Sequence, residues 1–227
     1  MDRQRTDRQL RLIAETIRIA DALGVDLWLR GGWAMDFFLG SPTRDHTDID
    51  WFARKRDIEP FARELLRSGW TSLSGSPADQ QRDFAEQGEE SSFALLDEDG
   101  SGHAVVAGGP WAGERWPDGM LDGPLGRIGT TACPVISPAA QIEIKRMTPV
   151  WIPGRPRRAR DAEDIRVLET ALRDGGGGWA AHHDRCLSCP LNCPSTPSGS
   201  FRPCPPTTPR ATEHTLAASC VPRPSRG

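Results

Sequence analysis

Two adjacent glycines, Gly31 and Gly32, join a short apolar run to a segment with helical character, and this junction constrains the fold more than any other feature of the sequence. Residues 25–30 are typical of a strand, and residues 33–39 predict a helix that ends at Gly40. Glycine lets the backbone approach a ligand without interference from a Cβ atom. The free N–H groups at a helix start form an anion site. The junction therefore predicts a strand–helix unit able to bind phosphate.

Two aspartates, Asp48 and Asp50, lie on the next predicted strand, residues 48–53. Side chains two residues apart on a strand project from the same face, about 7 Å apart. Carboxylates at that spacing can bracket two Mg²⁺ ions, which typically lie ~3.5–4 Å apart. Either feature alone is common. Together, a phosphate cradle and paired carboxylates are what metal-assisted phosphoryl or nucleotidyl transfer requires.

The remaining patterns place this unit in a mixed domain. Apolar residues at helical spacing predict four further helices, at 7–23, 56–68, 138–147 and 160–173. Residues 90–96 and 103–107, separated by a polar turn, predict a β-hairpin. The other segments are interpreted as a loop or weak strand at 69–87, an irregular stretch at 108–125, a short strand within 127–136 and a basic linker at 149–159. The predicted fold is α+β (mixed α/β), a small mixed sheet flanked by helices with a helical portion at the C-terminal end.

Composition divides the chain into two parts. Residues 175–227 hold nine of the twenty prolines and five of the six cysteines, and they start with four glycines. Residues 1–174 hold nearly all residues that could form a core, so we expect them to be the folded domain. The tail is typical of disordered or low-complexity chain. Its histidines and cysteines include zinc-ligand types at no standard spacing, so a zinc module is the less favoured alternative: His182, His183, Cys186, Cys189, Cys193 and Cys204.

The distribution of charge along the chain limits the class of partner that the protein can bind. The tail has five arginines against two acids, which leaves 23 basic and 29 acidic residues in 1–174. An acidic body argues against a broad nucleic-acid surface, which needs clustered Lys and Arg. It suits a small acceptor, including a cationic one. No apolar run predicts a membrane span or a signal peptide, and a body with Cys133 alone has no disulfide. We therefore expect a cytoplasmic protein.

The motif as a whole resembles the core of the polymerase-β-like nucleotidyltransferases, and more narrowly the aminoglycoside 2″- and lincosamide-type adenylyltransferases. The residues that carry the resemblance are Gly31-Gly32-Trp33-Ala34-x-Asp36-x-x-x-Gly40-x-x-x-Arg44-x-His46-x-Asp48-Ile49-Asp50. Both halves of the motif match at the right separation. The likeness continues more loosely to about residue 173 and does not include the tail.

This resemblance implies roles for particular residues. Gly31 and Gly32 would bind the triphosphate of ATP or another NTP, and Asp48 and Asp50 would ligate two Mg²⁺ ions. The family uses a third carboxylate from a neighbouring strand. Glu90 is the candidate for this ligand, as metal ligand and possible general base, and Glu89 on the opposite face is the alternative.

Further residues follow from the same resemblance. Arg44 and His46 would contact phosphate or orient the aspartates. Lys145, one of two lysines in the chain, would approach the nucleotide. The Arg160-Asp161-x-x-Asp164 stretch is similar to a Lys-Asp-x-x-Asp pattern that closes many such domains, with arginine in place of lysine.

The predicted activity is transfer of a nucleoside monophosphate to a hydroxyl of a small molecule, with aminoglycoside-like antibiotics as the first class to test. Two alternatives stay open: a toxin-like enzyme that modifies protein or RNA, and a catalytically degenerate nucleotide-binding protein. Trp111 and Trp116 lie in the irregular stretch, where they could stack on an acceptor or cap the sheet. The sequence leaves the acceptor, the choice of NTP and the oligomeric state open.

Overall fold

The structure, a computed structural model, describes residues 1–152, 156 and 158–175. The helices of this part are α1 (Arg3–Leu23), α2 (Gly31–Leu39), α3 (Ile58–Arg67), α4 (Pro138–Trp151) and α5 (Ala159–Arg173). The strands are β1 (Leu27–Arg30), β2 (Ile49–Arg54), β3 (Thr71–Leu73), β4 (Gln81–Glu86), β5 (Glu89–Glu98), β6 (Ala104–Val106), β7 (Leu125–Ile128) and β8 (Thr131–Pro134). Apart from Gly175, the predicted tail and its zinc-ligand types lie outside the described residues.

A mixed sheet carries the fold. Its strands lie in the order β1-β2-β5-β4-β3, and β6 also pairs with β5. The β2–β5 pair is parallel and the other neighbours are antiparallel. Strands β7 and β8 form a separate hairpin. The predicted α+β fold with a small mixed sheet is confirmed, as is the hairpin formed by β5 and β6.

Two segments differ from the sequence-based expectation. Residues 69–87 contain two paired strands, β3 and β4, rather than a loop or single weak strand. Phe84, fully buried among half-exposed polar neighbours, fixes the inward face of β4. Residues 125–134 form two strands with Gly129 at the turn, where φ is +57°, rather than one short strand. Both elements depend on pairing partners rather than on apolar content.

The two faces of the sheet pack differently. Alternate residues of β2 point to opposite faces. Ile49, Trp51 and Ala53 join the main core, which also contains buried residues of α1 and α3. Phe52 joins a smaller cluster with Leu96, Met120, Ile136 and Ala140. Because Asp50 is two residues from Phe52, it lies on the face of this smaller cluster.

The last two helices pack together and against α2 through a third apolar cluster: Met35, Phe38, Ile142, Ile165 and Leu168. Helix α4 begins as the Ser137-Pro138 pair predicts, because the Ser137 side chain accepts a hydrogen bond from the Ala140 N–H. It continues through Pro149 to Trp151, so the predicted linker starts later than residue 149. This packing brings the C-terminal helices against the helix that begins with the glycine pair. No helix in the described ranges combines the length and apolarity needed to cross a membrane.

Candidate active site

Close approach of neighbouring side chains explains the glycine pair. Gly31 has φ +71°, and a Cβ atom there would lie 2.7 Å from Asp50 Oδ2. A Cβ atom on Gly32 would lie 2.4 Å from His46 Nδ1 and 2.9 Å from an Arg44 guanidinium nitrogen. Any larger residue would displace these groups. The start of α2 is therefore pressed directly against the second aspartate and the motif loop.

The two aspartates differ in exposure and partners. Asp48 is exposed just before β2, and Asp50 is 27% exposed as the second residue of the strand. Asp50 lies opposite Arg30 of β1 and Ser92 of β5. Its Oδ1 atom forms an ion pair with Arg30 Nη2 at 3.4 Å. Arg30 was given no role in the sequence analysis, although its place directly before the glycines puts it at the same edge of the sheet.

The parallel register separates the two candidates for the third carboxylate. Ile49 pairs with Ser91, so continuing the register by one residue sets Glu90 beside Asp48 on the aspartate face. Glu90 is exposed, whereas Glu89 faces the other side and its side chain is 2% exposed. Glu89 accepts hydrogen bonds from side chains of α1: Arg5, Arg8 and Gln9. Burial raises the pKa of Glu89, but these hydrogen bonds and the Arg5 charge outweigh it and hold the pKa below its ordinary value. The Glu89 carboxylate is therefore bound to α1.

The acidic groups do not form a ready metal cage. Within the described ranges, no three His, Cys, Asp or Glu side chains lie close enough together to hold a metal ion. Asp48, Asp50 and Glu90 share a face but are not gathered into a ligand cluster. The donor type nevertheless fits Mg²⁺, which prefers carboxylate oxygens supplemented by water and phosphate. Arg30 already forms an ion pair with Asp50, which shows that this position attracts positive charge.

A buried histidine anchors the motif loop. His46 is 5% exposed, and its Nε2 lies 2.6 Å from Asp36 Oδ2, while Nδ1 lies 3.0 Å from Arg44 Nη1. Asp36 also accepts hydrogen bonds from the backbone N–H and the hydroxyl of Thr43. Trp33 is buried against the His46 ring at a centroid distance of 4.5 Å. His46 is thus placed to orient the loop and Arg44 rather than to meet a ligand.

Two predicted nucleotide-binding cations meet at one carboxylate oxygen. Arg44 Nη2 and Lys145 Nζ lie 3.0 and 2.8 Å from Asp164 Oδ2. Burial raises the pKa of Asp164, but hydrogen bonds and charge from Lys145 and Arg44 outweigh burial and lower it. Asp164 on α5 therefore binds both cations, and it holds Arg44 beside Gly32.

Comparison with known proteins identifies the family. The model of the aminoglycoside-2″-adenylyltransferase family matches residues 12–168. The chain belongs to this family. The predicted relationship to aminoglycoside 2″- and lincosamide-type adenylyltransferases is confirmed at that level.

Individual relatives match over shorter or more divergent stretches. A 2″-aminoglycoside nucleotidyltransferase from Klebsiella pneumoniae is 48% identical over 42 residues, which are 18% of this chain and 24% of the relative. An Escherichia coli protein of the same description matches to the same extent. The chain thus matches about a quarter of the length of these curated relatives.

Solved structures support the fold. ANT(2″)-Ia in complex with adenylyl-2″-tobramycin has a TM-score of 0.60 at 22% identity, over 73% of this chain and 90% of that one. The lincosamide adenylyltransferase LnuA with bound lincomycin has a TM-score of 0.55 at 18% identity, over 68% and 92% of the two chains. At these identities the structures show the nucleotidyltransferase fold and no more.

The two acids of the Arg160-Asp161-x-x-Asp164 stretch pair with different arginines. Asp161 accepts two hydrogen bonds of 2.8 Å from Arg158, and Lys145 Nζ lies 3.9 Å from it. Asp164 accepts a hydrogen bond from Arg44, so Arg158 and Arg44 are the arginines that bind these acids. The i, i+3 spacing of Asp161 and Asp164 predicts that both acids lie on one face of α5, and this was the sequence signal for their pairing with cations. Their partner Lys145 comes from another helix.

Proposed function

We propose that this protein transfers a nucleoside monophosphate, AMP from ATP as the first candidate, to a hydroxyl of a small molecule. The observation that carries the proposal is the close approach of Asp50 Oδ2 to Gly31, where a Cβ atom would lie only 2.7 Å from that oxygen. This contact sets a phosphate cradle directly beside a carboxylate. The Arg44 guanidinium, which shares Asp164 with Lys145, adds positive charge next to Gly32.

Each group of the site has a part in this reaction. The N–H groups of Gly31 and Gly32 bind triphosphate oxygens, and Arg44 and Lys145 offset phosphate charge. Asp48 and Asp50, with Glu90, would hold up to two Mg²⁺ ions. When bound, Mg²⁺ would acidify the acceptor hydroxyl and offset charge on the leaving group.

The bond changes are those of an in-line displacement. The acceptor oxygen forms a bond to the α-phosphorus, and the bond from that phosphorus to the bridging oxygen of pyrophosphate breaks. Glu90, exposed on the aspartate face, is our candidate to accept the hydroxyl proton. Positioning and charge stabilisation by the fixed side chains supply most of the rate.

An antibiotic with several hydroxyl and amino groups is the proposed acceptor class. Two solved structures that share this fold contain adenylyl-2″-tobramycin and lincomycin. The net negative charge of residues 1–174 favours a cationic molecule. Trp116 packs against Phe52, with ring centroids 5.0 Å apart, so it caps the sheet. Trp111 is 48% exposed and remains available to an acceptor.

The test is pyrophosphate release by the full chain with Mg²⁺ and each NTP, across a panel of aminoglycosides and lincosamides. We expect release that depends on one acceptor class, with the product identified by mass spectrometry as the acceptor plus one nucleoside monophosphate. Nucleotide binding with no release for any acceptor would contradict a small-molecule acceptor. That result would favour a macromolecular acceptor or a nucleotide-binding protein without catalysis.

The neighbouring glutamates provide a matched pair of variants. Glu90→Gln should lower kcat by roughly 10²-fold or more with little change in thermal stability, because Glu90 is exposed on the aspartate face. Glu89→Gln should lower the unfolding free energy by about 2–3 kcal/mol, because it removes the charge that Arg5 and Arg8 surround. Steady-state kinetics and urea unfolding of both variants measure the two effects. A large activity loss in folded Glu89→Gln with none in Glu90→Gln would reverse the assignment.

A further inference from the structure

Arg30 is the last residue of β1 and lies directly opposite Asp50. Its guanidinium forms the 3.4 Å ion pair with Asp50 Oδ1 and lies 4.9 Å above the centre of the Phe52 ring. Arg30 and Asp50 are 26% and 27% exposed, so water screens the pair only in part. Strand β1 on one side and the glycine pair on the other fix the backbone of this arginine.

The two oxygens of Asp50 have different surroundings. Oδ2 faces the backbone of Gly31 at the start of α2. Oδ1 faces Arg30, whose only ion pair among the described residues is this one. A metal ion that approached Asp50 would meet the guanidinium at the same carboxylate, and the two positive charges would repel each other.

We propose that Arg30 is the resident counter-ion of Asp50 and makes metal binding depend on nucleotide. This inference rests on the proposed function. A bare divalent cation must displace Arg30 from Asp50 and leave the guanidinium without an anion. A metal–nucleotide complex brings phosphate oxygens to the adjacent glycine pair, and these oxygens accept the released guanidinium. Metal and nucleotide therefore bind cooperatively, and by linkage each raises the affinity of the other by the same factor.

Arg54 is a matched control within the same sheet. It lies on β2, pairs with Glu98 at 2.7 Å and sits 5.6 Å above the centre of the Trp28 ring. It therefore has the same two kinds of contact as Arg30, an acid and an aromatic ring, at the other end of the strand from Asp50. A merely structural role for Arg30 predicts the same behaviour for both arginines.

The experiment measures Mn²⁺ binding to the full chain by electron paramagnetic resonance, with and without a non-hydrolysable ATP analogue. Without nucleotide, we expect Arg30→Gln to bind Mn²⁺ about three- to tenfold more tightly than wild type, because the competing charge is gone. The factor by which nucleotide increases Mn²⁺ affinity should fall by the same amount. Arg30→Lys, which keeps the charge, and Arg54→Gln should both resemble wild type.

An unchanged Mn²⁺ affinity in Arg30→Gln, equal to that of Arg54→Gln, would overturn the inference. Circular dichroism verifies folding, and Arg30→Met, which keeps an apolar stem over Phe52, is the second neutral variant if Arg30→Gln does not fold. Asp50→Asn separates the two proposals. If Asp50→Asn binds Mn²⁺ as well as wild type does, the metal site of the proposed function is wrong, whereas loss of binding there with no effect at Arg30 refutes the role of Arg30 alone.

Discussion

Replacement of Asp50 by asparagine is expected to remove nearly all nucleotidyl transfer and to leave the fold intact. The substitution keeps the shape of a side chain that touches the Gly31 backbone, so the glycine junction is not disturbed. It removes the negative charge that the proposed chemistry requires beside the phosphate cradle. Loss of one active-site group that stabilises charge in the transition state lowers kcat by roughly 10²–10³-fold or more. Asp48→Asn should have an effect of similar size, because Asp48 precedes Asp50 on the same face.

The control for this prediction is Asp45→Asn. Asp45 belongs to the same loop and its side chain is 50% exposed, with the N-terminal amine as its ion partner at 3.7 Å. Its substitution should leave kcat unchanged. Pyrophosphate release and product mass measure activity, and thermal unfolding measures the fold. Full activity in both Asp48→Asn and Asp50→Asn would refute the proposed site, and an equal loss in Asp45→Asn would show that the variants act through the loop.

The strand–glycine–helix–strand unit could be predicted from sequence because its signals are local. A short apolar run, two glycines and a helix ending at Gly40 lie within residues 25–40, and the structure has β1, α2 and a left-handed Gly40 there. Most helices were predictable for the same reason. Helix α4 is longer than predicted because its last turn tolerates Pro149, which the rule that proline ends a helix does not foresee.

Strands β3 and β4 show where local signals fail. Their residues are mostly polar, and β4 is held between β3 and β5. Strand propensity reflects packing against neighbours that the sequence does not order. Similarly, the period-2 alternation of β5 places Glu89 and Glu90 on opposite faces, but it does not reveal that Arg5, Arg8 and Gln9 of α1 surround Glu89.

The candidate site was predictable in its residue types and not in its pairings. The aspartates and glycines come from one continuous motif. The ion pair of Arg30 with Asp50 depends on the register of β1 with β2, and the pair of Arg44 with Asp164 joins residues 120 positions apart. Such contacts can be predicted only when the complete topology of the fold is known. They also determine which charges of the motif are already neutralised before a ligand arrives.

Asp164→Asn is expected to give the largest loss of stability among single variants of the site. The Asp164 side chain is 4% exposed, and its Oδ2 atom is the shared acceptor for Lys145 and Arg44. Removing one partner of a buried ion pair leaves an uncompensated charge and costs about 3–5 kcal/mol. Lys145 is the more affected cation because its side chain is only 10% exposed. Urea unfolding at neutral pH measures this loss, and Glu163→Gln is the control, since Glu163 is 59% exposed in a surface pair with Arg166.

The pH dependence tests the same assignment with a defined sign. The pKa of Asp164 is lower in the folded protein than its ordinary value of 3.8. The contribution of Asp164 to the free energy of unfolding is therefore present in full above that ordinary pKa. It is lost as the pH falls through the pKa of Asp164 in the folded protein. The stability difference between wild type and Asp164→Asn should be constant near neutral pH and shrink in acid below about pH 4.

A second substitution distinguishes the cost of leaving the Lys145 charge unpaired from the cost of losing its contact with Asp164. In Asp164→Asn the largely buried Lys145 ammonium loses the carboxylate at 2.8 Å and keeps only the more distant Asp161, at 3.9 Å. Lys145→Met in the same chain removes that charge and keeps an unbranched apolar side chain in its place. The double variant should therefore recover about half or more of the lost stability, although nucleotide binding should stay weak because Lys145 is absent. If the two losses simply add, Asp164 does not neutralise Lys145, and Lys145 and Arg44 are held by other contacts.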